Sequence, residues 1–294
     1  MKRHISTAAH FTHADLEEIR TLIEQRSAVH LDESRERFFS TRVHEYAEEE
    51  KLHSGTDVLR KIRGAGAEYD AFLERLLTQE TSFFRYPAVY QALAKTILPE
   101  IQDRKFWQNP RTLRVWSAGC STGEEPYSIA ITLCDALKFA EAWEIEILAT
   151  DISRRALRCA EKGVYSRRSL QELSEQQIEV HFNAVKGGFH VKPRVRRMIS
   201  FQQMNLAAPM YVGKLDCIFC MNVLMYFTEK RRLAILRGFY EALEPGGYFM
   251  LGHSETLTHT PVKFEAVTLG DCRLYRKPLA AESRRSVVLV ENSL

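Results

Sequence analysis

The rhythm of apolar and polar positions changes once along the chain, near residue 100. Before that point the period is helical. Thr12 and Asp15 have the spacing of a capping box, and Leu16, Ile19, Leu22 and Ile23 then share one helical face. The pattern predicts a second helix over about 34–52, and short helices near 56–63 and 68–78 parted by Gly64 and Gly66. A further helix opens at Pro87, whose ring suits a first helical turn, and carries Val89, Tyr90, Leu93, Ile97 and Leu98.

After Pro99 the stretch IQDRKFWQNP reads as a linker, and strand-like and helix-like segments then alternate. Strands are expected near 112–118, 144–150, 214–221 and 247–252, with helices near 124–138, 153–162 and 228–243. Such alternation predicts an α/β fold, a parallel sheet covered by helices on both faces. Two last strands, near 264–269 and 272–277, have no helical pattern between them and add an antiparallel edge. The basic, β-rich stretch KGGFHVKPRVRRMISFQQM at 186–204 reads as a small hairpin-like insertion. The expected organisation is a helical N-terminal domain over 1–98, a linker over 99–111, an α/β domain over 112–278 and a tail over 279–294.

Composition narrows the function classes. With 41 basic and 38 acidic residues the net charge is only +3, so no nucleic-acid partner is expected. Six cysteines at 120, 134, 159, 217, 220 and 272 are too sparse for a disulfide scaffold. Cys217 and Cys220 form a single CxxC, but a separation of three on a strand turns the side chains to opposite faces, so no metal site is expected. The N-terminal MKRHISTAAH has no apolar core, and the longest apolar stretch is too short to span a bilayer. A cytoplasmic protein without membrane insertion is expected, and nothing in the pattern asks for more than a monomer.

The chemistry belongs at the carboxyl ends of the strands, where open α/β sheets bind ligands. The turn after the first strand, S-A-G-C-S-T-G-E-E-P-Y-S, is rich in small residues, with Gly119 and Gly123 free to take unusual backbone angles. It is not the G-x-G-x-x-G fingerprint of a pyrophosphate cradle. Glu124 and Glu125 open the next helix with negative charge, which suits a cationic ligand such as S-adenosylmethionine. Asp151 ends the second strand about thirty residues on, placed to accept ribose hydroxyls or to cap the following helix. Asn222 interrupts an apolar run at the end of the third strand, as a ligand contact or as a helix cap.

The strings VWSAGCSTGEEPYSIAI, LATDIS, N-V-L-M-Y-F, L-E-P-G-G-Y and LGHSE resemble the chemotaxis-receptor methyltransferase (CheR-type) family. So do T-x-x-T-S-F-F-R at Thr78–Arg85 and Y-S-R-R-S-L-Q-E-L-S-E-Q-Q at 165–177, and the likeness spans about residues 13–277. The resemblance implies a Rossmann-like methyltransferase sheet with a helical N-terminal domain and a small antiparallel β-subdomain. It implies S-adenosylmethionine contacts at Gln79, Thr81, Arg85, Gly119, Glu125, Asp151, Asn205, Leu206, Met221 and Asn222. The implied reaction is methyl esterification of glutamates on the cytoplasmic helices of chemoreceptors. Arg85 is expected to guide the acceptor carboxylate, and Tyr226 to line the transfer pocket.

The chain departs from the family pattern in three places. Met221 stands where arginine is usual, and Gln79 where asparagine is usual. The second helix, often basic in the family, carries Glu45, Glu48, Glu49 and Glu50. Partner docking is therefore expected at Arg42 and its basic neighbours Arg35, Arg37, Lys61 and Arg63. The β-rich stretch adds Lys192, Arg194, Arg196 and Arg197, with addition of a partner strand as one use and a charged, solvated hairpin as the other. Two other readings compete: a methyltransferase for a different acceptor, and a non-catalytic adenosylmethionine-binding sensor.

Overall fold

The computed structural model describes residues 11–31, 35–64, 66–77, 79–139, 142–208, 212–257 and 260–279. Thr78, and the expected tail from residue 280 onward, lie outside the described residues. The chain divides into two compact units, Met1–Thr78 with Tyr226–Thr228, and Gln79–Met225 with Glu229–Leu294.

The first unit contains α1 (His13–Ser27), α2 (Glu36–Glu49), α3 (Gly55–Ile62) and α4 (Ala67–Leu76). The capping box is present: Thr12 Oγ1 accepts from Asp15 N, and the Asp15 carboxylate accepts from Thr12 N. Ile19, Ile23, Phe39, Val43, Tyr46, Val58, Ile62 and Phe72 form the buried interior, drawn from all four helices at helical spacing. Arg26 reaches across to the end of α3, donating to the carbonyls of Ile62 and Gly64, which closes that helix end.

The acidic run on α2 is neutralised within this unit. Glu45 pairs with Arg42, Glu49 takes both guanidinium nitrogens of Arg75 on α4, and Glu50 pairs with Lys61 on α3. Arg63 in turn pairs with Glu18. Three of the four glutamates are therefore held by cations of neighbouring turns or helices.

The second unit is built on a seven-stranded sheet. Its strands are β1 (Arg111–Ala118), β2 (Trp143–Asp151), β6 (Ile199–Gln203), β7 (Leu215–Cys220), β8 (Leu243–Leu251), β9 (Glu265–Leu269) and β10 (Cys272–Arg276). Their order is β6-β2-β1-β7-β8-β10-β9, parallel from β6 to β8, with β10 and β9 antiparallel. Six of these strands and the antiparallel edge are the expected ones, and β6 is an addition. Every residue of β7 is buried, as a central strand covered on both faces requires. Strand order reverses between β1 and β7, which opens the ligand crevice beyond their carboxyl ends.

Two expected boundaries move. The helical domain does not run to 98, because α5 (Pro87–Ala92) and its continuation belong to the sheet unit. Val89, Tyr90, Leu93, Ile97 and Leu98 bury in one core with Leu113 and Val115 of β1. Nor does Pro99 start a linker. A wider π-type turn at Leu93–Ile97 gives room for the proline ring, which would otherwise press on the carbonyl of Lys95 one turn back. The helix then continues as α6 (Leu98–Arg104) and buries Ile101.

The small antiparallel sheet also lies earlier than 186–204. It is formed by β3 (Val164–Tyr165), β4 (Phe182–Val185) and β5 (Gly188–Val191), in the order β3-β5-β4. The alternating segment Ile199–Gln203 is instead the parallel edge strand β6 beside β2. Ile199 and Phe201 turn to the main core, and the short helix α10 (Pro193–Arg196) carries the chain between the sheets. Among the described residues no helix is long and apolar enough to cross a membrane.

Candidate active site

The turn after β1 is fixed from below and from the side. The Thr150 carbonyl accepts from both Gly119 N and Cys120 N, at 2.8 and 2.9 Å. Gly119 has φ +90°, and a Cβ there would stand 2.5 Å from Val223 Cγ2, so the loop after β7 closes directly over it. Tyr165 of the small sheet donates to the Thr122 carbonyl at 2.7 Å and supports the turn from outside.

Asp151 ties this turn to the end of β2. Its Oδ2 accepts from Ser121 N and its Oδ1 from Ser153 N, both at 2.8 Å. The cap of α8 (Arg154–Lys162) is Ser153, whose Oγ accepts from Ala156 N at 2.9 Å. Asp151 is thus a rigid carboxylate at the mouth of the crevice rather than the helix cap. Gln79 Nε2 donates to Ser153 Oγ at 3.3 Å, which places the segment before α5 at the same end of the sheet.

Glu124 and Glu125 begin α7 (Glu124–Ala136), and both are buried. Thr122 Oγ1 donates to Glu124 and Ser117 Oγ to Glu125, at 2.7 and 2.6 Å. Burial pushes Glu124 above the usual carboxylate range. For Glu125 burial is again the largest cause and lifts it to about 7, aided by the charge of Glu255 and opposed by the Ser117 hydrogen bond and by Arg85. Facing it are Ser117 on β1, Arg85 before α5, Tyr90 on α5, Cys120 in the turn, Cys220 on β7 and Glu255 beyond β8. Burial also raises the Cys120 and Cys220 thiols well above their ordinary values, so they stay protonated at neutral pH.

Arg85 is exposed, donates to the Glu80 carbonyl at 2.9 Å and lies 5.7 Å from the Tyr86 ring centre. It follows Phe84, a bulky residue held at φ 49°, whose N–H is bonded to Ser128 Oγ on α7 at 3.0 Å. Buried Phe83 anchors the same segment edge-on against Tyr165 and Phe182. Thr81, half-buried, lies on this segment too.

Asn222 follows β7 in a left-handed conformation, φ 62°, and its Oδ1 accepts from Tyr86 Oη at 2.7 Å. Met221 is 8% exposed and its side chain belongs to the apolar core. Asn205 and buried Leu206 follow β6, with Asn205 Oδ1 accepting from Ala207 N at 2.9 Å.

Tyr226 belongs to the helical unit, where its ring faces Arg35 at 5.2 Å and its carbonyl accepts from His30 N. Arg42 lies over Phe38. Lys192 Nζ donates to the Glu179 carbonyl, and Arg196 to His190 and the Glu161 carbonyl, so both are engaged by their own unit. Arg194 contacts His181, and Arg197 is exposed.

Four residues escaped the sequence reading: Ser117, Tyr86, Ser121 and Glu255. Ser117 lies at the crevice end of β1, and Tyr86 directly follows Arg85. Glu255 stands in LGHSE, a string whose likeness to the family assigned it no role.

Residues 79–271 match the model described as "CheR methyltransferase, SAM binding domain". The chain belongs to the CheR methyltransferase family. It is 30% identical over 278 residues to "Chemotaxis protein methyltransferase 2" of Vibrio cholerae, covering 92% of this chain and 96% of that protein. The "Chemotaxis protein methyltransferase" of Vibrio parahaemolyticus is 32% identical, with 92% and 99% covered. "Chemotaxis protein methyltransferase 1" of Pseudomonas aeruginosa is 30% identical, with 90% and 97% covered. The CheR match begins at Gln79, where the sheet unit begins.

S-adenosylmethionine is the methyl donor of this CheR chain, and the crevice fits it. Ser121 Oγ is buried without a hydrogen-bond partner among the described residues, on the turn beside Asp151. Acidic side chains at two depths, Asp151 and Glu125, suit a ligand with hydroxyls and positive charge.

The Glu125 value has a measurable consequence. A cationic ligand seated on Glu125 would select the ionised carboxylate, so below about pH 7 its binding would expel the proton. Affinity for S-adenosylhomocysteine, which keeps the ammonium group, is expected to rise about tenfold per pH unit up to about pH 7 and then level off. Titration calorimetry in buffers of different ionisation enthalpy should record close to one proton released near pH 6. A pH-independent affinity with no proton release would overturn this account. In the ligand-free protein the sign is opposite. The stabilisation from holding the proton is complete below the ordinary carboxyl value of 4.5 and is lost as pH rises through about 7.

Proposed function

We propose that this chain methyl-esterifies glutamate side chains on the cytoplasmic helices of chemoreceptors, and so acts in the cytoplasm in chemotactic adaptation. The observation that carries the reading is the setting of Arg85, an exposed guanidinium beside a crevice whose other ionisable groups are largely carboxyls. An anionic acceptor is repelled by the ionised carboxylates of the crevice and drawn to Arg85 and to the sulfonium of the bound cofactor. A guanidinium fork holds a carboxylate through two parallel hydrogen bonds. The names of the relatives support the same substrate.

Bound S-adenosylmethionine supplies an electrophilic methyl group on its sulfonium. Gln79, Thr81, Gly119, Glu125, Asp151, Asn205, Leu206, Asn222 and the backbone of Met221 would hold it. A glutamate, with a reference pKa near 4.3, is already ionised at neutral pH and needs no general base. The protonated thiols of Cys120 and Cys220 fit such chemistry, since neither competes as a nucleophile. The chain's own task is to strip water from the acceptor and hold it in line, which is work of proximity and orientation.

On the helical unit, the paired glutamates of α2 leave little bare negative charge to oppose acidic receptor helices. Exposed Arg37 and half-buried Arg42, which also pairs with Glu45, are the docking candidates there. On the sheet unit they are Arg194 and Arg197, with Lys192 and Arg196 serving mainly to brace the small sheet.

The test uses methyl-labelled cofactor and a receptor cytoplasmic fragment, followed by alkali. Glutamyl esters release the label as volatile methanol, which is the expected outcome. Alkali-stable label would indicate a different acceptor. Tight cofactor binding with no transfer to any receptor would indicate a sensor.

A further inference from the structure

We infer that Glu255 is a positioning residue of the cofactor crevice, holding Asn222 in its left-handed conformation and joining the loop after β7 to the loop after β8. The inference rests on the proposed contact between Asn222 and the cofactor. Glu255 Oε2 accepts from Asn222 N at 2.7 Å and from Gly252 N at 3.0 Å, and Oε1 accepts from Met225 N at 3.3 Å. The N–H of Glu255 itself returns to the Gly252 carbonyl at 2.9 Å, so the turn after β8 is closed on both sides.

Gly252 is what lets the carboxylate enter. A Cβ there would lie 2.9 Å from Asn222 N, from Asn222 Nδ2 and from Glu255 Oε2, too close for any side chain. The N–H groups of residues 222 and 225 lie where β7 has ended and no sheet partner remains for them. A single carboxylate satisfies both, and such charge-assisted bonds are among the stronger ones. An asparagine tolerates the left-handed region better than most residues but still needs holding there.

The side chain of Asn222 is fixed from the opposite direction, by Tyr86 Oη on its Oδ1 at 2.7 Å. What remains for a ligand is the carboxamide N–H. Three segments, before α5, after β7 and after β8, thus converge on one residue. A carboxylate bound only to backbone N–H groups orients a loop without touching substrate.

The test is S-adenosylhomocysteine binding by calorimetry, at a temperature where circular dichroism shows each ligand-free variant fully folded. The variants are Asn222→Ala, Glu255→Gln, Tyr86→Phe and the Tyr86→Phe/Glu255→Gln double. The amide of Glu255→Gln must set an N–H against at least one of the three backbone donors. Asn222→Ala and Glu255→Gln are each expected to raise Kd about tenfold. The double variant is expected to lose less than the product of the singles, because both act through Asn222. Unchanged affinity in Glu255→Gln, with Asn222→Ala weakened, would overturn the positioning role alone. Unchanged affinity in Asn222→Ala would remove the cofactor contact on which it rests. Strictly multiplicative losses would overturn the convergence on Asn222.

Discussion

Replacing Arg85 by alanine is expected to lower methyl transfer about 100- to 1000-fold while leaving the fold intact. The side chain is exposed and, among the described residues, hydrogen-bonds to the Glu80 carbonyl alone, so its loss opens no cavity. The neighbouring backbone is held independently, by Phe84 N on Ser128 Oγ and by the buried ring of Phe83. What disappears is the positive charge that faces Glu125 across the crevice. The loss therefore falls on the acceptor carboxylate, and at saturating cofactor it should lower kcat as well as kcat/KM. A smaller, second effect has a definite sign. Arg85 helps to keep Glu125 ionised, so the variant should bind S-adenosylhomocysteine a few-fold more weakly at pH 7, and less so at pH 8. Arg85→Lys restores charge but not the two-pronged geometry and should fall between the two. Steady-state kinetics with a receptor fragment, alongside thermal melting, decides the matter. An alanine variant with unchanged melting that keeps more than a tenth of wild-type kcat/KM would remove Arg85 from its proposed role.

Much of this site could be read from the chain because it follows a rule of position. Ligands of open α/β sheets meet the ends of strands, and Gly119, Asp151 and Asn222 break the apolar pattern at those ends. Glu255 follows no such rule. Its partners are backbone N–H groups, which leave no trace in sequence, and it lies past the end of β8 among polar residues. The acidic α2 was misleading for a related reason, since the cations that neutralise Glu49 and Glu50 come from α4 and α3. Two structural errors have local causes. Alternating Ile199 and Phe201 read the same in a hairpin and in a parallel edge strand, and only pairing with β2 distinguishes them. Pro99 looked like a helix stop, and a π-type turn absorbed it.

The other large effect is expected far from the chemistry, at Asp216. This carboxylate is fully buried in β7, an aspartate within an otherwise apolar run. Lys105 Nζ donates to it at 2.6 Å, Arg104 Nη2 at 3.3 Å and Arg114 N at 3.0 Å. Those residues link the end of α6 to the start of β1, so one buried charge ties the helix preceding the sheet to its two central strands. Asp216→Ala would leave the nearly buried Lys105 ammonium beside Arg104 with no counter-ion and strand the Arg114 N–H. Removing one partner of such a group costs about 3–5 kcal/mol, a large share of the roughly 5–15 kcal/mol that hold a domain folded. A fall in Tm of about ten degrees follows for a unit of this size. The crevice should not feel it, because Asp216 lies toward the opposite end of β7 from Asn222. S-adenosylhomocysteine should bind the folded variant with unchanged Kd and restore about 2.7 kcal/mol at a hundredfold excess over Kd. A variant that melts like wild type would show the buried charge to be expendable. One that melts early and also binds the ligand weakly would show that the two ends of β7 are coupled.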